Sequence, residues 1–259
     1  MKLPKKWNDV NVYQFKELRN IGKTGYFTLQ LETLAILLDI PSTDLEDYES
    51  NAINEMFLNV KWVLNEPQKT YKHELNINDD TYYLKPFKQL TLAEFIDLEY
   101  FVTNDYINYI SHIASVFYKQ IDKDKWKNVE FEPYIYSPFE RFELFDDLKI
   151  TDIYGIVPDY LKYRNEFLNK YENLFNSEDE DDEETININD FDTAEEYKDA
   201  LKQNEFNKKS KKWGWESLLF ELTDGDITKT EEVGNLSLIF VFNMLSMRKD
   251  MGYLETSKG

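Results

Sequence analysis

Four times the chain places a glutamate three residues after a threonine: Thr43–Glu46, Thr91–Glu94, Thr193–Glu196 and Thr228–Glu231. At that spacing the hydroxyl accepts from the backbone N–H three residues on while the carboxylate reaches back, so each pair predicts a helix start. Apolar residues recur at helical period between these signals. "VYQFKELRN" is a short helix. "YFTLQLETLAILLDI" sets Phe27, Leu31, Leu34, Ile36, Leu37 and Leu38 on a broad face and stops at Pro41. Ser42 and Thr43 then cap a restart, and a helix from about Asn51 to Leu64 is expected to bury Ile53, Met56, Phe57, Val60 and Leu64.

Thr91 opens the next helix. Asp105 caps another that carries Ile107, Ile110, Ala114, Phe117 and Ile121 on one stripe. A short helix is expected near Phe139–Leu148, and a longer one from Pro158, with Leu161, Phe167, Leu168, Tyr171, Leu174 and Phe175 at helical spacing. "HELNINDDTYYLKPF" departs from that period. Leu75, Ile77, Tyr82 and Leu84 alternate about the turn residues Asn78–Asp79–Asp80, which predicts a β-hairpin near residues 73–85. With only 8 Gly and 7 Pro, a turn-rich all-β chain is excluded.

The expected fold is therefore mainly α: a multi-helix, bundle-like body over residues 1–176 with one small hairpin, an acidic flexible loop at 177–192, and a C-terminal helical lobe at 193–259 packing on the body. The loop contains seven consecutive acids, Glu178 to Glu184, which repel one another and bury nothing. The formal net charge is −20, of which residues 177–199, with twelve acids and one lysine, supply −11. That sign disfavours bulk binding to nucleic acid or anionic membrane. The longest apolar run, "LSLIFVFNML", is about half of what a membrane span needs, and "MKLPKKWNDV" has no apolar signal core, so a soluble chain is expected. There is no Cys, which removes disulfides, thiolate metal sites and Cys nucleophiles.

Little in the sequence points to chemistry. "DGDITKTEE" resembles the opening of a calcium loop, but with Asp224 at the first position, Lys229 falls where Gly belongs and Asn235 where the bidentate Glu belongs. A joint explains it better: Gly225 ends one helix, Thr228 caps the next and Glu231 completes the box. His73 and His112 belong to no metal-ligand pattern, and Glu94 and Asp97, one turn apart, read as a solvated helix face. Phosphate-cradling and nucleophile-elbow motifs are absent from the sequence. No catalytic, cofactor or metal residues are expected.

The candidate protein-contact residues are aromatic: Trp126, Phe131, Tyr134, Tyr136 and Phe139 within "WKNVEFEPYIYSPFERFELF", together with Trp213 and Trp215. The dense segment serves either as a contact surface or as core packed on the body. The only compact basic patch is "NKKSKK" at 207–212. The acidic run is a solvated loop, a partner for those lysines, or a contact for a basic protein.

Two segments, "LETLAILLDIPSTDLEDYESNAINEMFLNVKWVLNEP" and "WGWESLLFELTDGDITKTEEVGNLSLIFVFNMLSMRKD", with the helix "LTLAEFIDLEYFV", resemble parts of small acidic tail-region proteins of phages infecting Bacteroides-like hosts, often described as tail assembly chaperones. The likeness covers about half the chain and rests on helical patterns and caps. It implies a non-enzymatic protein that acts in the host cytoplasm during assembly, or stays in the virion, and binds other phage structural or tail proteins, among them an apolar helical tape-measure protein. The charge and the lack of a membrane-length apolar run lead to the expectation of no direct contact with nucleic acid or membrane. The rival expectation is an acidic inhibitor or DNA mimic that occupies a basic host protein.

Overall fold

Asn11 begins the first helix with two reciprocal bonds: its Oδ1 accepts from Gln14 N at 2.7 Å, and Gln14 Oε1 accepts from Asn11 N at 3.3 Å. In the computed structural model, which describes residues 2–120, 141–174 and 214–251, this cap starts α1, Val12–Asn20. The same backbone is fixed from the far side of the sequence. Val12 N donates to Leu148 O, Ile150 N to Val10 O, and Asn11 lies antiparallel to Lys149.

The described residues are mainly α-helical with a small antiparallel sheet and form two units. One contains residues 2–87, 100–120 and 141–164; the other contains 88–99, 165–174 and 214–251. Residues 88–99 thus group with the C-terminal segment rather than with their neighbours in sequence. Two helices, α4 (Leu92–Asp105) and α6 (Ile156–Lys170), contribute residues to both.

In the first unit, α2 (Tyr26–Leu38) ends where Asp39 takes a left-handed conformation at φ 54°. Asp39 N donates to Ile36 O and Ile40 N to Ala35 O, a closing motif usually built on glycine, and Pro41 follows. Ser42–Leu45 forms a 3-10 turn with no side-chain cap, so Thr43 and Glu46 do not close the expected box. Helix α3 starts only at Ser50 and ends at Val60, continuing as a 3-10 turn over Lys61–Leu64. The tighter turn re-phases the buried face: Phe57, Val60 and Val63 are inside at three-residue spacing, and Leu64, expected inside, is exposed.

The hairpin forms as β1 (Glu74–Ile77) and β2 (Asp80–Leu84), with Leu75 opposite Tyr82 and Asn78 at φ 54° in the turn. A third strand joins it. The helix expected to run on to Ile121 stops at Phe117, as α5 (Ile110–Phe117), and Tyr118–Gln120 becomes β3 along β2. Tyr118 explains the switch: it is 1% exposed, and its hydroxyl donates to Lys72 O. Three strands make a more self-sufficient sheet than an isolated hairpin. Near the expected helix at Phe139–Leu148 the described residues hold a 3-10 turn, Phe142–Phe145. Helix α6 starts two residues before Pro158, which stays within the first turn where its missing N–H costs nothing.

The second unit is built from the start of α4, the end of α6, α7 (Trp215–Leu222), the short α8 (Thr230–Gly234) and α9 (Leu238–Asp250). Thr91 and Glu94 form the expected box, with bonds of 3.0 and 3.3 Å. Here too the backbone is bridged: Leu92 N donates to Leu236 O and Leu238 N to Leu90 O. Phe95, Phe167 and Phe242 pack beneath, with Phe167 and Phe242 centroids 4.9 Å apart. No helix among the described residues is long and apolar enough to cross a membrane.

Replacing Thr91 or Asn11 by Ala should lower unfolding free energy by about 1 kcal/mol each, whereas Thr43→Ala should cost less than about 0.5. Denaturant titration reads the difference. Gly155→Ala should be worse than any of these, because its Cβ would lie 2.7 Å from the backbone of Lys69 and Thr70, which cannot swing away as a side chain can.

Candidate protein-contact site

The acidic turn that resembles a calcium loop is a joint. Asp224 and Gly225 take positive φ, and a Cβ on Gly225 would lie 3.0 Å from the Phe220 ring. Asp226, not Thr228, caps the 3-10 turn Ile227–Lys229. Its Oδ1 accepts from Thr228 N at 3.0 Å and from Thr228 Oγ1 at 2.6 Å, and Lys229 Nζ lies 3.5 Å from Oδ2. The Thr228 hydroxyl and backbone bonds hold its carboxyl below the usual range. Its carboxylate is thus engaged by its own chain. Among the described residues no group of three His, Asp or Glu gathers as a metal cluster.

The titratable residues singled out by sequence have structural surroundings. Glu94 is 1% exposed and gives one oxygen to the Thr91 cap, so it is not on a solvated face; the bridged helix start draws it inward. His73 is exposed, edge-on to Tyr71. His112 is buried and stacks on Phe142 at 4.0 Å and 11°, with Phe101 and Tyr109 also against it. Beside it, Asp146 accepts from Lys16 at 2.6 Å and from the Ser111 hydroxyl. A serine, a lysine, an aspartate and a histidine together invite a catalytic reading. Ser111 is fully buried, however, which denies a substrate access, and Lys16 is committed to Asp146.

Of the expected contact residues, Trp126, Phe131, Tyr134, Tyr136, Phe139 and Trp213 lie outside the described residues, as do the acidic run and the basic patch. Trp215 begins α7 and is half-buried. Its ring meets Phe95 edge-on at 4.9 Å, and its Nε1 donates to Glu99 Oε2 at 3.3 Å. The indole therefore takes part in the packing of the second unit.

A different apolar surface is open. Helix α9 buries Leu238, Val241 and Phe242 and exposes Phe240, Met244 and Met247 at 51%, 38% and 46%, with Met251, its C-cap, exposed at 60%. Their spacing of four, three and four residues draws one stripe along the helix. The signal is present in "LSLIFVFNMLSM", which is apolar all round, while a helix on the rim of a small unit can bury only one side. Aligned exposed apolar side chains of this kind mark contact sites more often than scattered ones do.

Comparison of the chain with protein-family models, curated proteins and solved structures returns no match.

Burial of His112, with the Lys16 charge nearby, pushes its pKa from the ordinary 6.5 down to about 4, while Asp146 opposes the shift. A base with a lowered folded pKa favours the fold fully above its unfolded pKa. The expected stability loss attributable to His112 therefore develops as pH falls from 6.5 to about 4 and is complete below that. Comparing His112→Gln with the parent in denaturant series at pH 7 and pH 4.5 checks this: the parent should lose more stability than the variant.

Proposed function

We propose that this protein works by binding other proteins, as an assembly or virion-associated protein of a tailed phage similar to a tail assembly chaperone. The observation that carries the reading is the exposed stripe of Phe240, Met244 and Met247 on α9, continued by Met251 at its C-cap. Its occupant is an amphipathic helix of a long helical tail protein. Eleven residues of α-helix extend about 16 Å, and the four-three-four spacing matches the knobs of a helix laid alongside. Methionine suits this work: its unbranched thioether repacks against differing side chains, so one seam accepts successive stretches of a repetitive helical partner. The sequence likeness to phage tail-region proteins supplies the setting.

Affinity capture from infected cells, with mass spectrometry of the eluate and of purified particles, tests the reading. The parent should retain a long helical tail protein. The variant Phe240→Gln/Met244→Gln/Met247→Gln should lose it while melting at the parent temperature, since these side chains are exposed. Retention by the variant overturns the reading. So does capture of a basic DNA-binding host protein that high salt releases, which would favour an acidic inhibitor.

A further inference from the structure

Between Thr24 and Val60 the chain holds seven acids, Glu32, Asp39, Asp44, Glu46, Asp47, Glu49 and Glu55, and no lysine or arginine. These residues build α2, the turn after it, and α3. Among the described residues no ion pair engages any of the seven. A stretch of that charge would ordinarily be wholly polar outside, but this one exposes Tyr26, Phe27, Tyr48 and Leu58 at 59%, 43%, 54% and 54%.

Two open grooves adjoin here, sharing Ile40 as a wall. One, of about 510 Å³, runs beside α1 and carries Glu17, Glu32 and Asp39 over an apolar floor that includes Ala35 and Ile36. The other, of about 590 Å³, is lined by Leu38, Leu45, Tyr48 and Met56, with Leu3 and a single carboxylate, Asp44. No lysine or arginine lines either groove among the described residues. Lys2 and Lys5 flank Leu3, and Lys16 and Arg19 adjoin Glu17 and Asn20 in sequence but pair with Asp146 and Glu66.

We propose that the joined grooves of α1, α2 and α3 dock a cationic amphipathic segment of a partner protein, its apolar side chains in the Leu38–Leu45–Met56 groove and its lysines or arginines against Glu17, Glu32 and Asp39. Charge complementarity selects this occupant. An apolar segment alone leaves the carboxylates facing one another, an acidic one is repelled, and a purely basic one leaves the second groove empty. The inference stands independently of the α9 reading, because it concerns other residues in the other unit.

The test is fluorescence anisotropy with the full chain and three labelled peptides: leucine and lysine at helical spacing, the same peptide with glutamate for lysine, and oligolysine of equal charge. The leucine–lysine peptide should bind, the glutamate peptide should not, and oligolysine should bind more weakly by about tenfold or more. Glu32→Gln/Asp39→Asn/Asp44→Asn should weaken the leucine–lysine peptide by about tenfold, because it removes three rim charges. Asparagine tolerates the left-handed conformation at residue 39, so that variant keeps the turn. Tyr48→Ser should weaken binding without touching any charge. A third variant with Glu178 to Glu184 changed to Gln and Asn should bind as the parent does. Equal binding of oligolysine, or loss of binding only in the third variant, overturns the proposal. Neither result bears on α9.

Discussion

Two helix starts hold the described structure together, and both are made the same way. A helix leaves its first N–H groups without intrahelical partners. In α1 and α4 the N–H of the first helical residue, Val12 or Leu92, is taken by a carbonyl from more than a hundred residues away, Leu148 or Leu236. The N–H two positions on is taken by the side chain of the cap, Asn11 or Thr91. Bridge and box thus share the work at one terminus. Each bridge also sets an aromatic cluster in place: Phe15 against Trp7 and Tyr154 in one unit, Phe95 against Trp215 and Phe242 in the other.

This pairing explains which signals in the sequence are honoured. Thr-x-x-Glu occurs four times, but of the three occurrences among the described residues only Thr91 closes its box, where Ser237 lies antiparallel to it. Thr43 has no such bridge, and the chain takes a 3-10 turn there instead. Thr228 loses its place to Asp226, whose shorter carboxylate reaches the backbone two residues on. Asn11–Gln14, the less familiar form of the same box, is hard to see in sequence because its strength comes from Lys149, remote along the chain. Local pattern gives helix type and hydrophobic face well; the bridges, and the division that sends residues 88–99 to the C-terminal unit, are long-range facts that no window reveals. The same holds for β3. Its residues continue a helical stripe on paper, and only the free edge of β2 and the Lys72 carbonyl make a strand the better state.

The proposed contact faces are legible in a different way. Aromatic density draws notice to Trp215, but a large ring beside Phe95 and Phe242 is worth more inside than out. The α9 stripe is written plainly in an apolar run, yet such a run reads equally as a buried helix until its neighbours are known. Net charge conceals the other face. Residues 177–199 supply −11 of the net −20, and only when they are set aside does the −7 of the chain from Thr24 to Val60, with no lysine or arginine, stand out.

Charge also opposes self-association through the exposed apolar side chains. A copy carrying −20 meets another copy with repulsion, and exposed methionines and tyrosines gain nothing until apolar surfaces touch. A cationic partner reverses the sign of that long-range term and leaves the short-range one unchanged. Repulsion acts over a Debye length, about 8 Å at physiological salt, whereas apolar burial needs contact. For the proposed partner the order of events on approach would follow from range alone: charge would sort partners first, and the apolar surface would hold the one admitted.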